Sequence, residues 1–179
     1  MRKIIVLEGP DNFGKTEYAK RLAKKLDAEY LKFPNEKLYS GQILRKIINK
    51  ELPFEPVSFQ ALQIINRIET YSKLDSNKTY VCDRGKLSGL VYALADDLFE
   101  PWVRETADFL PDPDITVLIT GRPYGQDTDV YSDPAFQRRV KQLYQEEGKK
   151  AGGRVIRVCN YGTIDEVFAE IMRKLEGVI

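Results

Sequence analysis

The stretch Ile4-Ile5-Val6-Leu7-Glu8-Gly9-Pro10-Asp11-Asn12-Phe13-Gly14-Lys15-Thr16 decides the fold, because an apolar run leads directly into the pattern G-x-x-x-x-G-K-[ST]. Strand, phosphate loop and helix start follow in the order that nucleoside triphosphate binding requires. The glycines let the backbone turn its N–H groups inward around phosphates, Lys15 reaches the outer phosphates, and the Thr16 hydroxyl can ligand Mg²⁺. Gly9, Asn12, Phe13, Gly14, Lys15 and Thr16 are therefore the candidate triphosphate-binding residues. The helix expected over 16–26 points its positive end at the same anions.

Outward from this stretch, short β-rich runs at 3–8, 28–33, 79–83, 115–120 and 154–159 alternate with amphipathic segments. The pattern predicts an α/β fold, a five-stranded parallel sheet covered on both faces in three α/β/α layers. Helices are expected at 41–49, 56–75, 87–97, 101–109, 133–151 and 163–176, with start signals at Asp133-Pro134 and Thr163-Ile164-Asp165-Glu166. Residues 121–132 form the longest aperiodic stretch, the pattern of a lid or binding loop or of a plain surface loop. The chain holds no repeat, low-complexity tract or linker, and its 179 residues predict one domain, 1–179, with a lid at about 121–136.

Charges nearly cancel, 28 basic against 27 acidic, which argues against a nucleic-acid partner and for a small anionic substrate. No apolar run approaches the roughly 20 residues that span a bilayer. Cys82 and Cys159 each lie in a strand-like run without metal-ligand spacing, so both are expected to be buried thiols of a reducing compartment. These observations predict a soluble cytoplasmic protein with no membrane partner. Histidine is absent, so proton transfer near neutral pH must use a carboxylate, a lysine, water or the substrate. Phosphoryl transfer tolerates that, being mostly positioning and charge stabilisation.

After the third strand, Asp83-Arg84 places a carboxylate and a guanidinium where open α/β sheets bind ligands. Arg84 can hold a phosphate bidentately, and Asp83 can organise Mg²⁺ through water or orient a nucleophile. A turn-capping ion pair is the alternative use of the same two residues.

With this constellation the sequence resembles the thymidylate kinase family of nucleoside monophosphate kinases. Leu7 to Thr16 is similar to that family's phosphate loop, which carries an aspartate two residues after its first glycine; Asp11 is that residue, and the likeness implies a contact to the acceptor 3′-hydroxyl. Phe33-Pro34 resembles the pair that lines the acceptor base. Asn66-Arg67-Ile68-Glu69, Asp83-Arg84, Ser88 and Tyr92 look like the acceptor-phosphate arginine followed by a D-R-Y-x-x-S-x-x-A-Y signature. Val130 to Gln137 resembles the lid-to-helix segment of eukaryotic and poxviral members. The likeness implies that Arg67 and Arg84 grip the monophosphate, that Tyr92 disfavours a ribose 2′-hydroxyl, that Asn160 and Tyr161 lie near the donor adenine, and that protomers pair as a homodimer. Tyr92 also sits beside the apolar face Leu87, Leu90, Val91, Leu94, as a core aromatic would.

Four positions depart from the family pattern. Gly85 replaces the tyrosine of D-R-Y. Gln63 stands four residues before Arg67, where a stacking phenylalanine is usual. Asn35-Glu36-Lys37 follows Phe33-Pro34 where an arginine is frequent, leaving Lys37 as the substitute cation. Asn12 occupies the loop and no basic residue lies between Pro123 and Ser132, where the family places a charge-stabilising arginine; Arg122, Arg138 or Arg139 could supply it from the lid margins, Arg138 and Arg139 serving equally as solvated helix charges.

The expected activity is Mg²⁺- and ATP-dependent phosphorylation of a deoxynucleoside 5′-monophosphate, dTMP or a related pyrimidine deoxynucleotide, with Lys15, Asp83, Arg84 and Arg122 carrying the chemistry. Two alternatives stay open: the same chemistry on a modified pyrimidine nucleotide or a modified base in DNA, and a nucleotide-binding protein whose transfer activity has decayed.

Overall fold

A computed structural model describes residues 3–125 and 130–179. Five strands, β1 (Lys3–Glu8), β2 (Glu29–Lys32), β3 (Thr79–Asp83), β4 (Ile115–Gly121) and β5 (Arg154–Asn160), form one parallel sheet in the order β2-β3-β1-β4-β5. Seven helices among the described residues cover it: α1 (Lys15–Lys25), α2 (Tyr39–Ile48), α3 (Pro56–Tyr71), α4 (Lys86–Ala95), α5 (Glu100–Ala107), α6 (Pro134–Glu147) and α7 (Ile164–Leu175).

Because strand side chains alternate, β1 feeds both faces. Ile5 and Leu7 pack with Tyr18, Leu22, Val167 and Ile171 of α1 and α7. Ile4 and Val6 pack on the other side with Phe33, Tyr71 and Cys82. A third cluster joins Leu44, Phe59, Val91, Tyr92, Val140 and Tyr144 of α2, α3, α4 and α6. The three-layer α/β/α arrangement expected from the alternation of runs is therefore present.

The start signals act as read: Asp133 accepts from the Phe136 N–H at 2.9 Å, and Thr163 with Glu166 forms a reciprocal capping box. Two helices stop earlier than their periodicity suggests. At α3 the ladder tightens into Lys73 N–H to Thr70 O and Leu74 N–H to Tyr71 O, and at α6 the same shift follows Gly148.

One expectation is overturned. Cys82 is buried, but Cys159 is exposed, because β5 is an edge strand whose residues alternate and only one of its faces is covered. Among the described residues no helix is long and apolar enough to cross a membrane. The expected lid falls partly on residues 126–129, which lie outside the described residues.

Candidate active site

The carboxyl ends of β1, β3 and β4 set the site. Pairing places Leu7 beside Asp83 and Glu8 beside Leu118, so the phosphate loop leaves the sheet between the two strands that flank it. Gly9 has φ +145°, and a Cβ there would meet Ile119 O at 2.5 Å, so only glycine allows the loop to pass this close to β4. Gly14, at φ +77°, opens α1 in the left-handed region.

Lys15 is buried and its ammonium donates to Pro10 O, across the loop it belongs to. Burial, with repulsion from Arg84, lowers its pKa to about 8. Thr16 Oγ1 donates to Asp83 Oδ2 at 2.5 Å. The two candidate metal-holding residues are thus already in contact, with the Tyr30 hydroxyl 3.4 Å from the same carboxylate oxygen.

Arg84 bends the chain after β3 at φ +70°, a left-handed conformation that costs a non-glycine residue roughly 1–3 kcal/mol. The bend aims its guanidinium at the phosphate loop. Nη2 pairs with Asp11 and lies 3.4 Å from the Tyr92 hydroxyl; Nη1 is 3.1 Å from both Ser88 Oγ and Tyr144 OH. Tyr92 OH donates to the other Asp11 oxygen, and the Arg84 guanidinium carbon sits 5.1 Å from the Tyr92 ring centre. Burial alone would raise the Asp11 carboxyl, but Arg84 and then Lys15 hold it below its ordinary value. Burial opposes the Arg84 charge, yet Asp11 keeps the guanidinium firmly protonated.

A cavity of about 560 Å³ contains Asp11 to Glu17, Phe33, Pro34, Gln63, Arg67, Asp83, Arg84, Ser88 and Tyr92 in its walls. Most acceptor-side candidates are therefore brought together. Phe33 is buried against Tyr71, its peptide to Pro34 is cis, and the Arg67 guanidinium carbon lies 5.5 Å from its ring centre. Arg67 Nη1 donates to Gln63 Oε1 at 2.8 Å and to Gln63 O at 3.1 Å, while Nε donates to Gly85 O at 3.2 Å. Burial lowers the Arg67 pKa, offset in part by Glu8. Tyr92 serves both readings of its position: it is packed in a hydrophobic cluster and its hydroxyl reaches the cavity wall.

Several candidates stand elsewhere, the exposed Arg138 among them. Lys37 is exposed and lines no part of the cavity, because it lies in the turn before α2 with its side chain on the solvent side; Arg45, on α2 and paired with Glu36, lines the cavity instead. Arg139 is turned away, bonded to Asp97 at 2.6 Å and to Leu94 O. Arg122 lies over Tyr161 at 5.7 Å beyond β4, so the guanidinium faces the expected adenine region rather than the Lys15 end. Asn160 is buried, accepting from Tyr18 OH at 2.8 Å and donating to Arg122 O at 2.7 Å, which braces the root of the 121–125 segment.

Sequence reading missed several residues. Phe59, Gln60, Tyr124 and Tyr131 line the cavity. Tyr124 is tied over the phosphate loop by its N–H to Asn12 O at 2.7 Å and its hydroxyl to Gly162 O at 3.0 Å. Lys141 brings Nζ to 5.5 Å from the Phe13 ring centre, one turn before Tyr144. The inward stripe Val140, Tyr144 on α6 was visible as helical spacing, but its target was not. Glu8 carried the plainest signal, an acid ending an otherwise apolar strand.

A family model described as thymidylate kinase matches residues 7–171. The chain is 29% identical to a probable thymidylate kinase of Methanococcus maripaludis, over 98% of this chain and 96% of the relative. It is 29% identical to the thymidylate kinase of Danio rerio, over 98% and 91% respectively. Among solved structures, thymidylate kinase from Candida albicans superposes with a TM-score of 0.81 at 23% identity, covering 98% of this chain and 92% of that one, which is a likeness of fold.

Proposed function

Because the chain belongs to the thymidylate kinase family, we propose that it transfers the γ-phosphoryl group of ATP to dTMP or a related pyrimidine deoxynucleotide, giving the diphosphate and ADP. The observation that carries this is the meeting, in one cavity, of Lys15, Thr16 and Asp83 with Arg84, Asp11 and Tyr92.

The donor phosphates occupy the loop Gly9 to Thr16, with the Lys15 ammonium leaving Pro10 O for the β- and γ-oxygens. The acceptor phosphate displaces Asp11 from Arg84, a favourable exchange because a dianion matches the guanidinium fork better than a single carboxylate does. Asp11, so released, accepts from the 3′-hydroxyl, and Tyr92 stands against a 2′-hydroxyl. An acceptor phosphate oxygen then attacks the γ-phosphorus in line; its bond forms as the bond to the β-bridging oxygen breaks, and that oxygen leaves on ADP with the electron pair. No side chain removes a proton, since the attacking oxygen is already anionic, which suits a chain without histidine.

Thr16 Oγ1 and Asp83 Oδ2 are oxygen donors of the kind Mg²⁺ takes, and would hold it, Asp83 through water, beside the donor phosphates. When bound, the ion neutralises charge on the β- and γ-oxygens. We assign residues 1–179 to one nucleotide kinase domain, with a lid at about 121–136 and adenine near Asn160 and Tyr161. Free thiols fit a cytoplasmic enzyme. Tyr39 and Ile43 of α2 and Val57, Ile65 and Ile68 of α3 expose apolar surface, which supports a homodimer through these helices.

A second reading, a modified pyrimidine acceptor, draws on Gln63: an amide replaces an aromatic plane at the wall of the cavity. The test for both is ADP release from Mg²⁺-ATP with each common nucleoside and deoxynucleoside monophosphate and with 5-substituted deoxyuridylates. Stimulation by dTMP is the expected result, a stronger response to a 5-substituted analogue selects the second reading, and no stimulation by any acceptor rejects both.

A further inference from the structure

Glu8 ends β1 next to the phosphate loop, is 1% exposed, and its carboxylate bonds to Ser88 at the start of α4. One carboxylate oxygen accepts from the Ser88 N–H at 3.1 Å and the other from the Ser88 hydroxyl. Ser88 Oγ in turn lies 2.7 Å from Tyr144 OH and 3.1 Å from Arg84 Nη1, and Tyr144 OH is itself 3.1 Å from Nη1. Space for the carboxylate comes from Gly85, where a Cβ would lie 3.3 Å from Glu8 Oε1 and 2.9 Å from Val6 Cγ1. Burial raises the Glu8 pKa, while the Ser88 hydrogen bonds and then the Arg84 and Arg67 charges pull it back down.

Donor and acceptor counting gives this cluster a direction. The Ser88 N–H and hydroxyl both donate to Glu8, so the hydroxyl keeps its lone pairs for Tyr144 and Arg84. Tyr144 then donates to Ser88 and accepts from Arg84. Both N–H groups of Nη1 find acceptors, which holds the guanidinium plane and leaves Nη2 facing Asp11 and the cavity. A buried network that is fully satisfied fixes one arrangement, and reversing one donor unsettles the rest.

We infer that Glu8 is a positioning residue for the acceptor phosphate, orienting Arg84 through Ser88 and Tyr144. The inference rests on the proposed acceptor role of Arg84 and adds a residue with no expected part in it.

The test uses Glu8→Gln, which keeps shape but presents an N–H either to the Ser88 hydroxyl or to the Ser88 N–H. Affinity for dTMP without ATP, affinity for ATP without dTMP, and KM for each are measured on the wild-type protein, Glu8→Gln, Ser88→Ala and the double variant. Expected is a rise of about tenfold in Kd and KM for dTMP with the ATP values unchanged, and little further loss when Glu8→Gln is added to Ser88→Ala. If Glu8→Gln does not fold, Glu8→Asp, which draws the carboxylate back from Ser88, decides the matter by the same acceptor-specific loss. Equal weakening of ATP binding assigns Glu8 to the phosphate loop and overturns the inference, as do additive losses or unchanged dTMP affinity. If the wild-type protein neither binds nor phosphorylates dTMP, the kinase reading itself fails and the inference falls with it.

Discussion

Thr16 Oγ1 donates to Asp83 Oδ2 at 2.5 Å, joining residues 67 positions apart at the point where β3 runs beside β1. The hydroxyl is the first side chain after the phosphate-loop lysine, and the carboxylate is the last of its strand. Asp83→Asn is expected to lower kcat about 100-fold with every acceptor and to raise the Mg²⁺ concentration needed for half-maximal rate. Titrating Mg²⁺ against initial rate checks this; an unchanged requirement removes Asp83 from the metal site.

Lys15 lines the cavity from within the phosphate loop, with its side chain buried. Lys15→Ala should cut turnover by about 10³ with all acceptors, because transition-state charge loses a buried partner. Steady-state kinetics with dTMP and dUMP decide it, and a loss confined to one acceptor would contradict a role at the donor phosphates.

Gln63 holds Arg67 through its side-chain oxygen, while its backbone oxygen makes a second bond that a substitution leaves in place. Gln63→Phe is expected to change the kcat/KM ratio between dTMP and other pyrimidine monophosphates about tenfold, with KM for ATP unaltered. An equal change for every acceptor would show that the side chain does not meet the base.

Burial, then the neighbouring Asp97 charge, pushes the Asp96 pKa up to about 6, against Tyr131 and Arg139, which pull it down. The folded state therefore holds a proton that the unfolded state has released between about pH 4 and pH 6. This stabilising contribution is complete below about pH 4 and is lost as pH rises through about 6. Since the group is only half-buried, solvent screening reduces the effect to about 1 kcal/mol. Asp96→Asn should raise Tm by a few degrees at about pH 7.5 and leave it unchanged at about pH 4; an equal rise at both values would point to packing instead.

Ile65 and Ile68 stand exposed on the outer side of α3. Ile65→Glu should convert a dimer into monomers by light scattering while the folding transition persists. A wild-type protein that is monomeric at assay concentrations would rule out pairing through this face.

Where chemistry depends on chain neighbours, the residues could be identified without coordinates. Gly9, Gly14, Lys15 and Thr16 are such a set, because the loop's conformation follows from glycine placement within one turn. The strand bounds of β1 and β3 and the caps at Asp133 and Thr163 were legible for the same local reason. Lys37 and Cys159 were misplaced because solvent or core exposure depends on which neighbouring elements cover a position, and neither a turn nor an edge strand states that.

The sequence by itself determined an α/β nucleotide-binding fold and the donor-phosphate half of the site, since hydrophobic periodicity and turn chemistry act over a few residues. Only the tertiary structure decided that Glu8, Ser88, Tyr144 and Arg84 share one hydrogen-bonded cluster, that Arg45 rather than Lys37 lines the cavity, and that Asp11 and Tyr92 meet on Arg84. Periodicity gives the face a side chain occupies, but the depth and angle at which β1, α4 and α6 pack fix which polar atoms come within hydrogen-bond reach.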